Sequence, residues 1–374
     1  RTQVKTGSTG MLKDYPIRQL VRPLLEWYPD HARVLPWREQ PEPYRVWVSE
    51  IMLQQTRVEA VKPYFERFMQ ALPDVAALAD CPEERLLKLW EGLGYYNRAR
   101  NMQAAARTVM QDYEGVLPAD YEALLKLKGI GHYTAGAIAS IAYGIPVPAV
   151  DGNVLRILMR VSEDDSDIGK QSVKSEAERL LWPVIPKDQA AMFTQATMEL
   201  GATVCVPNGE PKCRECPWQP YCLAFRHGTY DRLPYKNKTK PRKIEEKTVL
   251  VIRDGEKVLL HRRPRQGLLA GMYEFPNLEG HLTREEVTRY VEGMELLPLK
   301  IEPLEEARHI FSHIEWQMTG YMIRVAQLDD LTEHKTGYVF AEAEVSEEKY
   351  AIPSAFARYT KYMNIRLGIS KDKK

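Results

Sequence analysis

Cysteines are unevenly distributed along the chain: Cys205, Cys213, Cys216 and Cys222 fall within 18 residues, whereas Cys81 stands alone. Closely spaced cysteines supply thiolates, which bind zinc and iron–sulfur clusters. A disulfide framework is the other use of such a set, but it is typical of small secreted domains with a signal peptide. The spacing therefore predicts a metal or cluster site, and Cys81 is predicted to be a small core residue.

Glu50 is a candidate general acid. If residues 46–55 form a helix, Val46 and Trp47 lie one turn before Glu50 and Leu53 lies one turn after it. Apolar neighbours disfavour the ionised carboxylate and raise its pKa, as a general acid requires. The alternative is an ordinary glutamate on the exposed face of an amphipathic helix, and the residues alone favour neither.

A second motif runs from Leu127 to Asp151 and combines a glycine-rich turn with an aspartate. Helical patterns flank Gly129 and Gly131, and a turn without side chains lets backbone amides approach a phosphate. This pattern is typical of a helix–hairpin–helix unit that holds DNA backbone, although a plain corner between two helices explains it as well. Asp151 is a candidate catalytic carboxylate, with the N-cap of a helix at 154–161 as the alternative.

The secondary structure that must position these residues is predicted to be helical in the first part of the chain and to include strands in the last part. Residues 12–200 show apolar residues at helical spacing and frequent prolines, which predicts many short helices. Residues 236–243 are rich in lysine and arginine. Beyond them, residues 249–260 have the pattern of a β-hairpin, residues 320–325 that of a strand and residues 282–291 that of a helix.

The composition, net charge and apolar runs of the sequence limit the class of protein to which this chain could belong. The 374 residues carry a formal net charge of +1, and 44% are hydrophobic and 28% charged, which is typical of a soluble globular protein of about two domains. No apolar run reaches the roughly 18 residues of a membrane helix. The polar start of the chain lacks the apolar segment of a signal peptide. We therefore expect a cytoplasmic protein that does not bind membranes.

Three further segments resemble a known family. The segments are Leu35-Pro-Trp37-Arg38, Trp47-Val-Ser-Glu50-Ile-Met-Leu-Gln-Gln55-Thr and Glu91-Gly-Leu-Gly-Tyr95-Tyr96-Asn-Arg98. They are similar to the MutY family of adenine DNA glycosylases, and the match runs through essentially the whole helical part. The glycine turn with its aspartate resembles the wider endonuclease III-type superfamily. The cysteines resemble the [4Fe–4S] loop of that superfamily, with a first gap one residue longer, and zinc remains the alternative metal.

The resemblance implies roles for the candidate residues. Glu50 would protonate the adenine, and Asp151 would stabilise the sugar cation that remains. Asn153 would orient the aspartate, and Tyr133 would support the pair of carboxylates. Gly129 and Gly131 would contact the DNA backbone. The resemblance also assigns residues to the adenine pocket and to intercalation into the DNA stack: Arg33, Trp37, Arg38, Leu53, Gln55 and Tyr95.

Tyr133 separates two kinds of activity. Superfamily members that also cut the DNA strand carry a lysine at this hairpin position, where it forms a Schiff base. A tyrosine cannot form an imine. We therefore expect a monofunctional glycosylase that removes the base without lyase activity.

The C-terminal part resembles a Nudix fold through Met272-Tyr-Glu274-Phe-Pro276. The glutamates at 283–292 do not keep the register of active Nudix hydrolases, so nucleotide hydrolysis is not expected. Phe311-Ser312-His313 matches the loop with which MutY proteins recognise 8-oxoguanine, and a turn at an edge strand is the alternative.

The expected fold is a mainly α helix–hairpin–helix glycosylase domain with a [4Fe–4S] loop, followed by an α+β Nudix-like domain. The expected partner is duplex DNA with adenine opposite 8-oxoguanine or guanine, and the protein is expected to act as a monomer. The expected location is the cytoplasm, of bacterial type, in association with the nucleoid. Two other functions remain open: an endonuclease III-like glycosylase and lyase for oxidised pyrimidines, and a lesion-binding protein without catalysis. The predicted boundaries are a flexible tail at 1–11, a helical catalytic domain at 12–225 with the iron–sulfur loop at 205–222, a basic linker at 226–246 and a Nudix-like 8-oxoguanine recognition domain at 247–370.

Overall fold

The structure is a computed structural model that describes residues 11–238, 240–328, 337–342, 345 and 348–363. The predicted flexible tail lies outside the described residues except for Met11, which begins a short helix. The chain divides into two compact units. The first comprises Arg1–Ala79 and Asn101–Thr239, and the second comprises Asp80–Arg100 and Lys240–Lys374.

Helices form the described chain up to residue 227, as the apolar spacing predicted. Helix α10 continues directly into a turn of π-helix at Ile138–Ala142. The helices are α1 (Met11–Asp14), α2 (Val21–His31), α3 (Pro36–Glu39), α4 (Pro43–Leu53), α5 (Val58–Ala71), α6 (Val75–Asp80), α7 (Glu83–Trp90), α8 (Asn97–Asp112), α9 (Tyr121–Leu125), α10 (His132–Ala137), α11 (Gly152–Ser162), α12 (Gln171–Leu181), α13 (Ala190–Thr203) and α14 (Leu223–His227).

Helix α11 is the centre of the first unit. All of its residues from Val154 to Ser162 are buried, because it packs in a core with α2 and α13. Arg156 and Arg160 are buried there as well, and each guanidinium donates to backbone carbonyl groups nearby. These hydrogen bonds offset the cost of removing two charges from water.

The second unit is built on a mixed sheet of seven strands in the order β3-β2-β1-β6-β5, with β4 also pairing β1 and β7 also pairing β2. Strands β1 and β6 are parallel, and the other pairs are antiparallel. The elements are β1 (Lys243–Asp254), β2 (Lys257–Arg262), β3 (Tyr273–Glu274), β4 (Asn277–Glu279), α15 (Arg284–Gly293), β5 (Pro298–Ile310), β6 (Ile314–Val325), β7 (Tyr338–Glu342) and α16 (Ala357–Thr360).

Both faces of this sheet are covered. Successive side chains of a strand point to opposite faces, and in β1 Val249 and Val251 enter one core while Leu250 and Ile252 enter the other. Helix α15 covers the second face, and it begins at a capping box between Thr283 and Glu286. The predicted hairpin, strand and helix of this part are therefore confirmed, and the unit has the α+β character that the pattern indicated.

Two details differ from the sequence-based boundaries. Strand β1 begins at Lys243, inside the predicted linker at 226–246. Residues 80–100, expected in the helical domain, group with the second unit. The contacts explain this grouping, because the buried Glu91 carboxylate accepts the backbone N–H of Ile352 at 2.9 Å and the ammonium group of Lys88 donates to the carbonyl of Tyr350 at 3.2 Å.

No helix in the described part of the chain is long and apolar enough to span a membrane.

Candidate active site

Helix α4 places Glu50 in the interior. A proline at its first position starts the helix, and Glu50 is only 5% exposed. The helix runs from Pro43 to Leu53, so residues 46–53 of the stretch considered above are helical and Gln54 and Gln55 are not. Gln55 instead adopts a left-handed backbone with a φ of 59°, a conformation that is uncommon for residues with a side chain and is concentrated at functional sites.

Tyr133 is the direct partner of Glu50. Its hydroxyl donates a hydrogen bond of 2.6 Å to Oε2 of the carboxylate. The pKa of Glu50 is raised to about 7, mainly by burial and to a smaller extent by the charge of Asp151, while the hydrogen bond from Tyr133 and the charge of Arg38 act to lower it. Burial also raises the pKa of Tyr133, so its phenol stays protonated and can only donate to the carboxylate.

The hairpin between α9 and α10 positions Tyr133 near the start of α10. Gly129 has a φ of 78°, which favours glycine, and a Cβ atom there would lie 2.8 Å from the Cβ of Asn101. Gly131 is the N-cap of α10 and has open space around it. Both glycines therefore leave backbone accessible, as the helix–hairpin–helix prediction required.

Gly136 brings the next segment of chain against α10. A Cβ atom on this residue would meet the carbonyl oxygen of Pro148 at 2.0 Å, so only glycine permits the crossing. The segment then runs on to Asp151 and reaches the same region as Tyr133. The sequence analysis did not single out Gly136, although a glycine within a helical pattern is a signal of close packing.

Asp151 is both an N-cap and a member of the site. Its Oδ1 accepts the backbone N–H of Val154 at 2.8 Å, which caps α11. Its Oδ2 accepts a hydrogen bond of 3.0 Å from the side chain of Asn153. The N-cap interpretation of the aspartate is therefore confirmed, and Asp151 also lines the cleft that holds Glu50 and Tyr133.

A single cleft of about 1290 Å³ collects most of the candidate residues. Its lining comes entirely from the first unit and also includes Gln195, whose side chain accepts a hydrogen bond from Tyr28. Gly129 and Tyr95 are not part of the lining. The candidate residues that line the cleft are Arg33, Trp37, Arg38, Glu50, Leu53, Gln55, Gly131, Tyr133, Asp151 and Asn153.

Glu199 is a residue of this region that the sequence analysis missed. It lies on α13, its side chain is fully buried, and it forms ion pairs with Arg33 at 2.7 Å and Arg38 at 2.5 Å. Although burial opposes ionisation, the hydrogen bonds and charges of the two arginines lower its pKa. A signal was available, since Glu199 is the only charged residue of α13.

The remaining candidate residues for DNA contact lie in the second unit. Tyr95 is 48% exposed and has a φ of 49°. Phe311, Ser312 and His313 form the turn between β5 and β6, with the last two exposed. The ring of Phe311 packs edge-on against that of Trp316, with 4.9 Å between the ring centroids, and this contact anchors the turn. Ser312 and His313 at the tip of the turn remain accessible to a ligand.

The four cysteines of the loop are electrostatic neighbours. Burial is the main reason that the pKa of Cys216 is raised to about 12, and charge on the other three cysteines acts in the same direction. Burial also raises the pKa of Cys213 and Cys222, and charge on Cys205 adds to the effect in both. N–H donors point at two of the sulfurs: Arg160 lies 3.3 Å from Cys205 Sγ, and the backbone N–H of Phe225 lies 3.4 Å from Cys222 Sγ.

This donor set fits a thiolate-bound centre, because N–H groups stabilise sulfur that carries negative charge. Within the described ranges, no group of three or more His, Cys, Asp or Glu side chains is arranged to hold a single metal ion. Cys81, by contrast, is buried at 4% exposure in the second unit, as predicted.

Comparisons with known proteins agree with this architecture. Residues 48–183 match the HhH-GPD superfamily base excision DNA repair proteins, and residues 248–362 match the NUDIX domain. The solved structure of a thermostable thymine-DNA glycosylase is similar with a TM-score of 0.50 and 27% identity, covering 56% of this chain and 97% of that one. Fold and site thus define a helix–hairpin–helix DNA N-glycosylase of base excision repair with a Nudix-like second domain.

Two curated relatives give the family. The adenine DNA glycosylase of Mus musculus is 35% identical over 366 residues, which cover 81% of this chain and 70% of the relative. The adenine DNA glycosylase of Buchnera aphidicola subsp. Acyrthosiphon pisum is 32% identical, with 84% of this chain and 89% of the relative covered. The chain belongs to the adenine DNA glycosylase family.

Proposed function

We propose that the protein excises adenine paired with 8-oxoguanine or guanine in duplex DNA and leaves the strand uncut. The observation that carries this proposal is the pair formed by Glu50 and Asp151, two carboxylates in one cleft with opposite environments. Glu50 is buried and its pKa is about 7, whereas Asp151 is partly exposed and accepts two hydrogen bonds. A buried carboxyl with a raised pKa beside a second, hydrogen-bonded carboxyl group is typical of acid-assisted cleavage of glycosidic bonds.

The reaction begins with extrusion of the adenine, since its glycosidic bond is inaccessible inside the duplex. By resemblance, Gln55 and Tyr95 would each intercalate into the DNA stack, and both residues have a left-handed backbone. The extruded adenine would enter the cleft beside Trp37 and Leu53, where apolar surface and a ring are available for stacking.

Glu50 then donates its proton to N7 of the adenine. A pKa of about 7 keeps a substantial fraction of the carboxyl protonated near neutral pH, which a general acid needs. As the bond to the sugar breaks, the protonated base leaves as a neutral molecule. The ionised Glu50 is then available to accept a proton from the attacking water, with the phenol of Tyr133 stabilising the carboxylate.

Asp151 faces the sugar as the cation develops. Asn153 and the N–H of Val154 hold its carboxylate in one orientation, so no reorganisation is needed when positive charge appears. Water then completes the hydrolysis. Since Tyr133 stands where a Schiff-base lysine would be required, the sugar stays in the intact strand as an abasic site.

The 8-oxoguanine would be recognised by Phe311, Ser312 and His313. Ser312 and His313 are exposed at the tip of the turn and hydrogen-bond each other at 3.0 Å, so donors and acceptors are available to a base edge. This site does not contribute to the cleft. Its expected effect is on the choice of mispair and not on the chemical step.

The central test uses duplexes with one adenine opposite 8-oxoguanine, guanine or thymine, treated with hot alkali after incubation to reveal abasic sites. We expect release of adenine opposite 8-oxoguanine and guanine and little opposite thymine. Glu50→Gln should abolish it, and Glu176→Gln, which changes an exposed glutamate, should not. Absence of adenine release by the natural sequence would refute the proposal, as would full activity of Glu50→Gln.

Strand scission is followed on the same duplexes without alkali. Borohydride trapping of a covalent complex, or cleavage of a duplex that carries an oxidised pyrimidine, would support the lyase alternative. The cleft wall does include an amine, Lys174 of α12. Lys174→Ala therefore identifies the source of any covalent complex that forms.

We also propose that Cys205, Cys213, Cys216 and Cys222 hold a [4Fe–4S] cluster with a structural role. The support is the spacing of the cysteines, the membership of the family and the N–H donors at two sulfurs. Metal analysis and visible absorbance of the purified protein separate the cluster from zinc: iron and a broad brown absorbance are expected. A colourless protein with one zinc per chain would contradict the cluster.

A further inference from the structure

Glu199 is a charged group whose burial needs an explanation. Helix α13 is otherwise apolar or neutral, and the side chain of Glu199 is fully shielded from solvent. A buried carboxylate costs several kcal/mol unless it is paired and hydrogen-bonded. Its partners therefore indicate what the residue is for.

Both partners are arginines of the cleft wall. The backbone N–H and Nε of Arg33 donate to Oε1 of Glu199 at 3.2 and 2.7 Å, and Nη2 of Arg38 donates to Oε2 at 2.5 Å. Arg38 also donates to the carbonyl of Arg33 at 3.1 Å. One carboxylate thus fixes the guanidinium groups of two arginines. Arg33 lies in the loop before α3, and Arg38 lies on α3 itself.

We propose that Glu199 is a positioning residue of the active site, which holds Arg33 and Arg38 at the cleft wall and offsets the charge of Arg38, which acts on Glu50. The carboxylate does not line the cleft, so it acts through the arginines. This role rests on the proposed excision of adenine, because the rate of that reaction reports the state of Glu50.

The electrostatic part of the role follows from the groups around Glu50. Tyr133 on α10, Asp151 before α11 and Arg38 on α3 interact with it. Arg38 lowers the pKa of Glu50, and Glu199 reduces that effect because its negative charge lies directly on the guanidinium. The groups around Glu199 itself are the two arginines and Tyr28, whose pKa is raised by burial.

Glu199→Gln removes the negative charge with little change of shape. The positive charge of Arg38 then stabilises ionised Glu50 more strongly, so the carboxyl group of Glu50 loses its proton at a lower pH. We expect the alkaline limb of the single-turnover rate profile to move to lower pH, with a rate roughly threefold to tenfold below the natural sequence on that side. On the acidic side the effect of charge on Glu50 disappears, and only the loss of rate from weaker positioning of the two arginines should remain.

The experiment measures adenine release from the 8-oxoguanine duplex across pH for the full chain and its variants. Glu176→Gln is the matched control, because Glu176 is an exposed glutamate paired with Arg179 on the same unit. An unmoved limb in Glu199→Gln would overturn the proposal. Failure of the proposed function is distinguishable, since the natural sequence would then release no adenine at any pH.

Three further variants extend the test, and two of them, Arg38→Gln and Glu199→Asp, keep it decisive if Glu199→Gln does not fold. Arg38→Gln removes the positive charge beside Glu50, so its limb should move to higher pH, and the double variant with Glu199→Gln should return towards the natural profile. Glu199→Asp keeps the charge but is too short to bind both arginines as observed. It should keep the position of the limb and lose rate at every pH, and a full rate in Glu199→Asp would contradict the positioning role.

Discussion

The raised pKa of Glu50 has a consequence for stability that can be measured without any substrate. Burial moves the pKa of this carboxyl from 4.5 to about 7 on folding. Each pKa unit corresponds to about 1.4 kcal/mol, so ionised Glu50 costs the folded protein roughly 3 kcal/mol. Replacement by glutamine removes the ionisation but keeps an oxygen that can accept from Tyr133.

The sign of the effect depends on pH. Below the pKa of the unfolded chain, Glu50 is protonated in both states, and Glu50→Gln should have the stability of the natural sequence. Between 4.5 and about 7 the unfolded chain ionises first, so the natural sequence loses stability as pH rises. Above about 7 the full difference is present, and the glutamine variant should be the more stable protein.

Thermal unfolding in buffers on either side of this window provides the assay. For a unit of this size, 1 kcal/mol corresponds to about 2–4 °C, so Tm of Glu50→Gln should exceed that of the natural sequence by roughly 6–12 °C at alkaline pH. Glu176→Gln, at an exposed ion pair, should change Tm little at any pH. Equal Tm values for Glu50→Gln and the natural sequence at alkaline pH would refute the raised pKa.

Other variants test separate parts of the site. Tyr133→Phe removes the hydrogen bond that favours ionised Glu50, so the alkaline limb of the rate profile should move up by roughly one to two pH units; an unchanged limb would contradict this. Asp151→Asn keeps a good N-cap but should lower the rate by roughly 10²–10³ while duplex binding persists; loss of folding measured by circular dichroism would show a structural role instead. Cys213→Ser should remove the visible absorbance of the cluster, and a retained spectrum would exclude this ligand. Ser312→Ala should reduce the preference for 8-oxoguanine over guanine in competing duplexes, with the rate on the guanine duplex as the control.

Local patterns predicted much of the fold and several site residues correctly. The apolar spacing of the first 200 residues, the hairpin around residues 249–260 and the helix near residue 284 depend on neighbours in sequence, and each is present. Asp151 followed by a helix was also readable, because an N-cap is a property of a few consecutive residues.

The helix at Glu50 shows where such patterns fail. Its apolar neighbours did not decide between a buried acid and an exposed glutamate. They also did not mark the end of the helix at Leu53, because Gln55 takes a left-handed backbone that no local pattern required. The grouping of residues 80–100 with the second unit is similar. It depends on Glu91 meeting the backbone of Ile352, and these residues are 261 positions apart.

By itself, the sequence determined which groups are available: two carboxylates, a tyrosine in place of a lysine, a glycine hairpin and four clustered thiols. Tertiary structure decided what they do. The hydrogen bond between Tyr133 and Glu50 spans 83 positions, and the ion pair between Arg33 and Glu199 spans 166. The reason is physical: the pKa of a carboxyl depends on how much water is removed and which charges lie beside it, and both are set by packing between distant segments.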